Sequence, residues 1–270
     1  MLLRSITKHV KDQNWFAVAL DFFIVVVGIL IAFQITNWNE DRALTKRTNK
    51  LVERLETDFG TDVWLAIGLH NYHKQVYEDA LLALDDITGR RPLSDEAFLI
   101  SAYRATQFNR FNQSTSIYEE LVSTGGLELV VKTEIGALAS IFYETTLLTD
   151  YEKFGQSSDY RNIFRGAVPI NVQLAVGNAC GDRARTLDEI MSEASFLGYD
   201  CELDLTADQM AEAAQVLRLH PSIVPALRHR VATLKTQNYD FEGVVDAIRP
   251  FRATREVLEQ SSVNTVWVTE

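Results

Sequence analysis

The chain has 270 residues, 47% of them hydrophobic, and a formal net charge of −11 at pH 7. A surface this acidic does not provide the basic footprint that nucleic-acid binding needs, so we expect no nucleic-acid partner. The first apolar stretch leaves about 230 residues behind it, which is enough for one sizeable domain and too few to require two.

An apolar segment lies between Trp15 and Trp38, and from Phe16 to Ile35 its only polar side chains are Asp21 and Gln34. The two tryptophans are about 34 Å apart on a helix that rises ~1.5 Å per residue, which spans a bilayer. Indole rings favour the headgroup region at each face of a membrane. No small-residue cleavage site follows the segment, so we expect a retained anchor and not a cleaved signal peptide.

The anchor divides the chain into three predicted parts: a short basic cytoplasmic tail (1–14), a transmembrane helix (15–38) and an extracytoplasmic helical domain (39–270). Basic residues are nearly balanced around it, because Arg4, Lys8 and Lys11 precede it while Arg42, Lys46, Arg47 and Lys50 follow it. Long domains cross membranes largely regardless of charge, whereas a short basic tail tends to stay inside, so we expect the N-terminus in the cytoplasm. A tail of this length is too short for an output domain.

One narrow face of the predicted anchor helix combines an acid with small residues. At 100° per residue Asp21, Gly28 and Ala32 lie together, in line with Val25 and Asn39. Small residues let helices approach closely, and an acid in hydrocarbon needs a donor. This face therefore predicts a helix contact, with a second copy in a homo-oligomer or with another envelope protein. Alternatively, Asp21 lies close enough to the interface to reach water or take up a proton.

The residues Gly28–Glu40 read GILIAFQITNWNE. This block resembles the anchor of an uncharacterised family of bacterial envelope proteins, the domain-of-unknown-function family numbered sixty-ninety. Thr36 stands where that family usually has Asn, and Asp21 stands where Glu is common. A weaker similarity covers Tyr118–Gly125 and the later Tyr143. The resemblance implies an anchor in the bacterial cytoplasmic (inner) membrane followed by a helical domain, and it supplies no catalytic residue.

Neither proline nor a turn cluster follows Asn39, so the anchor and the next segment are predicted to form one continuous helix. Its apolar stripe, at alternating spacings of four and three, ends at the breaker Gly89–Pro92. The stripe consists of Leu55, Phe59, Val63, Ala66, His70, His73, Tyr77, Ala80, Leu84 and Ile87. His70 and His73 would bind a transition metal if a facing helix supplied His229 or a carboxylate. Histidines in such a stripe are more often hydrogen-bonded core residues.

Caps and breakers predict the remaining helices. They run from Ser94 to about Phe108, from Thr115 to Val122, from Thr133 to Pro169 as one long helix, from the capping boxes at Thr186 and Thr206, and from Pro225 to Pro250. The last long helix is expected to pack against the first through a four-three stripe with Asn238 as its polar member. The short apolar stretch Val263–Val268 has no predicted place.

Cys180 and Cys201 are the only cysteines, and they flank part of the least regular region, residues 171–204. An even pair around a local insertion predicts a disulfide in an oxidising compartment. A segment with little periodic apolar character also gains most from such a covalent tie. The alternative is two free buried thiols. The disulfide agrees with a domain in the periplasm.

The sequence lacks the common enzyme signatures: the Walker loop, the dinucleotide fingerprint, the nucleophile elbow and the zinc-protease motif. We predict an all-α protein in which one N-terminal transmembrane helix continues into a long helix, followed by an antiparallel helical bundle. The expected function is that of a membrane-anchored interaction or scaffold protein, with no catalytic residue and no cofactor. The alternatives are a ligand-sensing bundle that acts through a partner, and a metal-binding or enzymatic bundle centred on His70 and His73.

Overall fold

The computed structural model describes residues 15–109, 112–193 and 196–260. Within these ranges the regular structure is helical and no strand occurs, so the predicted all-α class is confirmed. Residues 1–14, predicted as the cytoplasmic tail, lie outside the described residues. The same holds for the apolar stretch Val263–Val268.

Twelve α-helices and one 3₁₀ turn account for the regular structure of the described ranges. They are α1 (Trp15–Ile87), α2 (Asp95–Arg104), α3 (Ser116–Ser123), α4 (Leu127–Val130), α5 (Glu134–Glu144), α6 (Leu147–Gln156), α7 (Asp159–Ala167), α8 (Ile170–Cys180), α9 (Leu187–Met191), α10 (Ala207–Arg218), α11 (Ile223–Ile248), the 3₁₀ turn (Arg249–Phe251) and α12 (Arg255–Gln260). The predicted capping boxes at Thr186 and Thr206 are both present. With 73 residues, α1 holds the apolar segment and the predicted stripe in one helix, as expected.

The chain divides into two compact units, Met1–Leu51 and Val52–Glu270. In the first unit the described residues are all helical, and nearly all of those whose side chains are described are exposed. The second unit contains the hydrophobic core. The predicted boundary between residues 38 and 39 marks the expected membrane surface and stays a prediction.

The predicted stripe of α1 forms the centre of the second unit. Leu55, Phe59, Val63, Ala66, His73 and Ala80 are fully buried, and His70 and Leu84 are nearly so. The other helices pack their apolar residues around it, among them Phe98 of α2, Phe142 of α5, Phe164 of α7 and Leu227 and Phe241 of α11. Helix α11 packs on α1 as predicted, because Asn238 Nδ2 donates to the carbonyl oxygen of His73 at 3.2 Å.

The prediction of one long helix from Thr133 to Pro169 is wrong, because α5, α6 and α7 occupy this segment. The backbone becomes extended at Thr145 (φ −72°, ψ 142°) and again at Ser158 (φ −68°, ψ 120°). Short hydroxyl side chains offer the backbone local hydrogen bonds that compete with a helix. Thr145 does so directly, since its Oγ1 accepts from the N–H of Leu147 at 3.3 Å. The apolar periodicity continues across both breaks, so the sequence pattern alone predicts one helix.

The end of α1 is fixed by a turn and an arginine. Gly89 has φ 73°, a conformation that glycine adopts without strain. Arg218 of α10 then donates to Asp86 Oδ2 at 2.7 Å and to Asp95 Oδ1 at 2.5 Å. Its guanidinium carbon also lies 4.4 Å from the ring centroid of Phe98. The end of α1, the beginning of α2 and the end of α10 are thereby joined at one point.

Candidate functional site

The apolar segment of α1 is long and apolar enough to cross a membrane, and it is the one such stretch among the described residues. Ten of its large side chains are at least 48% exposed: Leu20, Phe22, Phe23, Ile24, Val25, Ile29, Leu30, Ile31, Phe33 and Ile35. A core helix of a soluble protein passes the same test of length and composition but is mostly buried. No described side chain of the apolar segment is buried, which favours a lipid-facing segment over a core helix.

The residues predicted to form the anchor interface lie within this exposed segment. Asp21, Gly28 and Ala32 are all exposed. A Cβ atom added at Gly28 would meet no atom within 4 Å. The unbroken helix keeps the three residues on one face, as the 100° periodicity requires. The structure therefore leaves room for a second helix at this face.

Asp62, which the sequence did not single out, is the centre of a buried polar cluster in the second unit. Its Oδ2 accepts hydrogen bonds from the backbone N–H of Ser114 at 2.9 Å and from the hydroxyl of Tyr143 at 3.0 Å. Its Oδ1 is buried and has no hydrogen-bond partner among the described residues. Burial raises the pKa of Asp62 to about 7, although both hydrogen bonds oppose the rise.

Aromatic and acidic side chains of α3 and α5 pack around this carboxyl group. Tyr118 stacks on Tyr143 with ring centroids 5.0 Å apart, and its hydroxyl donates to Glu144 Oε1 at 2.7 Å. Two residues further along α3, Glu120 accepts two hydrogen bonds from Arg54 of α1, at 2.8 and 3.1 Å. These side chains thus hold α3 and α5 against α1, which is a structural role.

A signal for Asp62 was present in the sequence. It lies three residues after Phe59 and four before Ala66, so on a helix it is next to the apolar stripe. A lone acid at such a position indicates a buried carboxyl group with partners elsewhere in the fold. The positions of Ser114 and Tyr143 carry no corresponding pattern, so the partners themselves required the structure.

The two histidines of the stripe are neutral core residues. His73 Nδ1 lies 3.0 Å from the carbonyl oxygen of Leu69, and its ring stacks on Tyr151 at 3.9 Å. Burial lowers the pKa of His73 to about 3 and that of His70 to about 4. His229 lines a separate surface cavity. In the described ranges no three His, Cys, Asp or Glu side chains come together in a group that could hold a metal ion.

Cys180 and Cys201 form a disulfide with their Cα atoms 5.5 Å apart. Arg104 at the end of α2 binds both sides of it. The guanidinium donates to the carbonyl oxygen of Cys180 at 3.2 Å and to that of Tyr199 at 2.9 Å, and it reaches Cys201 Sγ at 3.4 Å. The irregular segment between the cysteines is therefore fastened to α2 and α8, and Arg104 is a partner that sequence reasoning missed.

Two surface cavities that lie between helices of the second unit have the size of small-molecule sites. One, of about 480 Å³, lies between α2, α7 and α8 beside Tyr103, Arg165 and Asn178. The other, of about 380 Å³, lies between α6 and α11 beside Asp150 and Asp240. Within the described part of the chain, neither cavity joins a nucleophile to a base by a hydrogen bond. Their geometry therefore identifies no reaction.

No family model, curated protein or solved structure matches the chain. Its function therefore has to be inferred from its own residues. Packing within the described residues gives no reason for the exposed apolar side chains of α1, so this segment is the feature that a function has to explain.

Proposed function

We propose that the protein is a single-pass membrane protein of the bacterial envelope that acts as an interaction or scaffold module without catalysis. The observation that carries this proposal is the apolar segment of α1, in which no described side chain is buried. Fully burying a large apolar side chain is worth roughly 1.5–3 kcal/mol. Because the ten side chains are 48–71% exposed, their transfer into lipid is favoured by on the order of 10–20 kcal/mol. A bilayer is the surrounding that matches this helix in length and chemistry.

We place the anchor in the cytoplasmic (inner) membrane and the C-terminal domain in the periplasm. The disulfide between Cys180 and Cys201 supports this orientation, since cytosolic thiols are kept reduced. The resemblance of Gly28–Glu40 to the anchor of an envelope family supports the bacterial membrane.

The buried polar groups support a scaffold over an enzyme because their hydrogen bonds hold helices together. Arg230, almost fully buried in α11, is an example. It donates to the carbonyl oxygens of Ala105 at 3.2 Å and Gln107 at 2.7 Å, just beyond the end of α2. Asp62 and Asn238 connect elements in the same way. The partners we propose are the lipid bilayer, a second copy through the anchor face, and an envelope protein recognised by the domain.

Fractionation of cells tests the anchor. After alkaline carbonate extraction we expect the full-length protein to remain in the membrane pellet, because the apolar helix resists removal from lipid. Protease added to spheroplasts reaches only the outer surface of the cytoplasmic membrane. It should therefore digest a domain that lies in the periplasm. A variant with Val26→Asp and Leu30→Asp, which places two charges in mid-segment, serves as the control and should appear in the supernatant. Release of the unaltered protein by carbonate would refute the anchor.

Crosslinking in membranes tests the homo-oligomer. We expect Asp21→Leu combined with Gly28→Ile to reduce the yield of crosslinked dimer several-fold, because branched side chains keep the helices apart and the acid is gone. Phe23→Leu with Leu30→Ile is the matched control, since these residues lie on the opposite face of the helix. An equal dimer yield in all three proteins contradicts the contact.

A further inference from the structure

The helix just beyond the apolar segment carries a surface that differs in charge from the rest of the protein. Residues 39–51 contain four basic and two acidic residues, a net charge of +2 in a chain of net charge −11. The basic residues are Arg42, Lys46, Arg47 and Lys50, and all are exposed. We call these four the basic collar. Among the described residues none of them forms an ion pair, whereas in the second unit Arg54, Arg218 and Arg249 all pair with acids.

Two residues of the collar share a face with Trp38. The guanidinium carbon of Arg42 lies 5.4 Å from the ring centroid of Trp38, in a cation–π contact. A shallow depression of about 500 Å³ is bordered by Trp38, Arg42 and Lys46, together with Asp41, Thr45 and Asn49. Successive steps of four residues place an indole, a guanidinium and an ammonium in a row along the helix.

The side chains of this row tilt toward the apolar segment because of the direction of the helix. Each Cα–Cβ bond of a helix tilts toward its N-terminus, and here the N-terminal side is the apolar segment. Arg42 shows this tilt, since its side chain reaches back over Trp38. At ~1.5 Å per residue Arg42 and Lys46 lie about 6 and 12 Å beyond Trp38, while Lys50 lies about 18 Å beyond it. The flexible side chains of the first two can return to the headgroup layer.

We infer that Trp38, Arg42 and Lys46 form a binding site for the phosphodiester of an anionic phospholipid such as phosphatidylglycerol. This inference rests on the proposed membrane anchor and names a lipid partner for it. The indole lies among the headgroups, and the guanidinium donates to phosphate oxygens in the geometry that it prefers. The ammonium adds a point charge beside it. Asp41, at the edge of the same face, disfavours a second lipid phosphate on its own side.

The test measures lipid preference with the full-length protein reconstituted into phosphatidylcholine vesicles. Trace spin-labelled phosphatidylglycerol or spin-labelled phosphatidylcholine reports the relative association constant of each lipid at the protein. Arg42→Gln with Lys46→Gln is compared with Arg47→Gln and Lys50→Gln. Both double variants lose two positive charges, but the control residues lie farther from Trp38 along the helix, and Arg47 also lies on another face. Basic residues before the anchor are present in every variant and cancel.

We expect the first double variant to lose most of the preference for phosphatidylglycerol, by about fivefold for each basic residue held near the surface. The control should keep most of that preference, and high salt should weaken it in the unaltered protein. An equal loss in both variants, or no loss in either, overturns the site. Protein that does not float with the vesicles in a density gradient refutes the anchor instead, so the two failures are distinguishable.

Discussion

Replacing Asp62 with asparagine is expected to remove a pH dependence of about 4 kcal/mol from the free energy of unfolding. Burial raises the pKa of Asp62 from 3.8 to about 7 in the folded protein. The folded protein therefore keeps a proton that the unfolded chain releases above about pH 4. The stability contributed by this proton is fully present below about pH 4 and is lost as the pH rises through about 7. Asparagine does not titrate, so the variant lacks this loss.

Urea unfolding of the full-length protein in mild detergent measures the effect at pH 5 and pH 8. Trp64 is a suitable probe, because it is 4% exposed and donates from Nε1 to the carbonyl oxygen of Ala253 at 2.8 Å. The free energy of unfolding of the Asp62→Asn variant minus that of the unaltered protein should be larger at pH 8 than at pH 5. Glu56→Gln, on the exposed side of the same helix, is the control. A stability difference that is the same at both pH values contradicts the assignment.

Two buried histidines also make the free energy of unfolding depend on pH, so the effect of Asp62 has to be measured as a difference between two proteins. Burial lowers the pKa values of His70 and His73 to about 4 and 3, so their contribution is present above pH 6.5 and is lost as the pH falls. This change has the opposite sign to that of Asp62 and overlaps it between pH 4 and 6.5. Asp79, whose pKa burial raises to about 6, acts in the direction of Asp62. All three groups are shared by both proteins and cancel in the difference.

The contrast between predicted and observed elements follows from the range over which each signal acts. The end of α1 at Gly89 and the helix starts at Thr186 and Thr206 depend on neighbouring residues, so local sequence was enough to predict them. The polar cluster depends on contacts across the fold, because Asp62 binds Ser114 and Tyr143, which lie 52 and 81 residues away. No periodicity within one helix contains that information.

The single helix predicted across α5–α7 is wrong for a related physical reason. Apolar periodicity reports which face of a segment is buried, and that face is maintained when the chain turns between consecutive helices. At Thr145 the hydroxyl side chain competes with the helix hydrogen bonds, whereas at Ser158 the backbone is extended without a side-chain cap. No glycine or proline lies beside Thr145, and the nearest such residue before Ser158 is Gly155, in the last turn of α6. A pattern of this kind therefore predicts burial better than it predicts helix length.

Removal of the disulfide is the second large effect that we expect. Cys180 and Cys201 are separated by 21 residues. Closing a loop of this size in the unfolded chain corresponds to a stabilisation of about 3 kcal/mol. The double variant Cys180→Ala with Cys201→Ala should lose about that amount. Arg104 keeps its hydrogen bonds to the carbonyl oxygens of Cys180 and Tyr199, so the irregular segment should remain attached to α2 at low temperature.

Two measurements check this expectation and the compartment together. A maleimide gel-shift on membranes prepared without reductant should find both thiols blocked, and reductant should expose them. Urea unfolding should show that reductant destabilises the unaltered protein and leaves the double-alanine variant unchanged, which controls for effects of the reagent elsewhere. Freely reactive thiols in fresh membranes would contradict the disulfide, and the support that it gives to a periplasmic domain would be lost. The proposal of a membrane anchor would be unaffected, because it depends on the exposed apolar side chains of α1 and not on thiol chemistry.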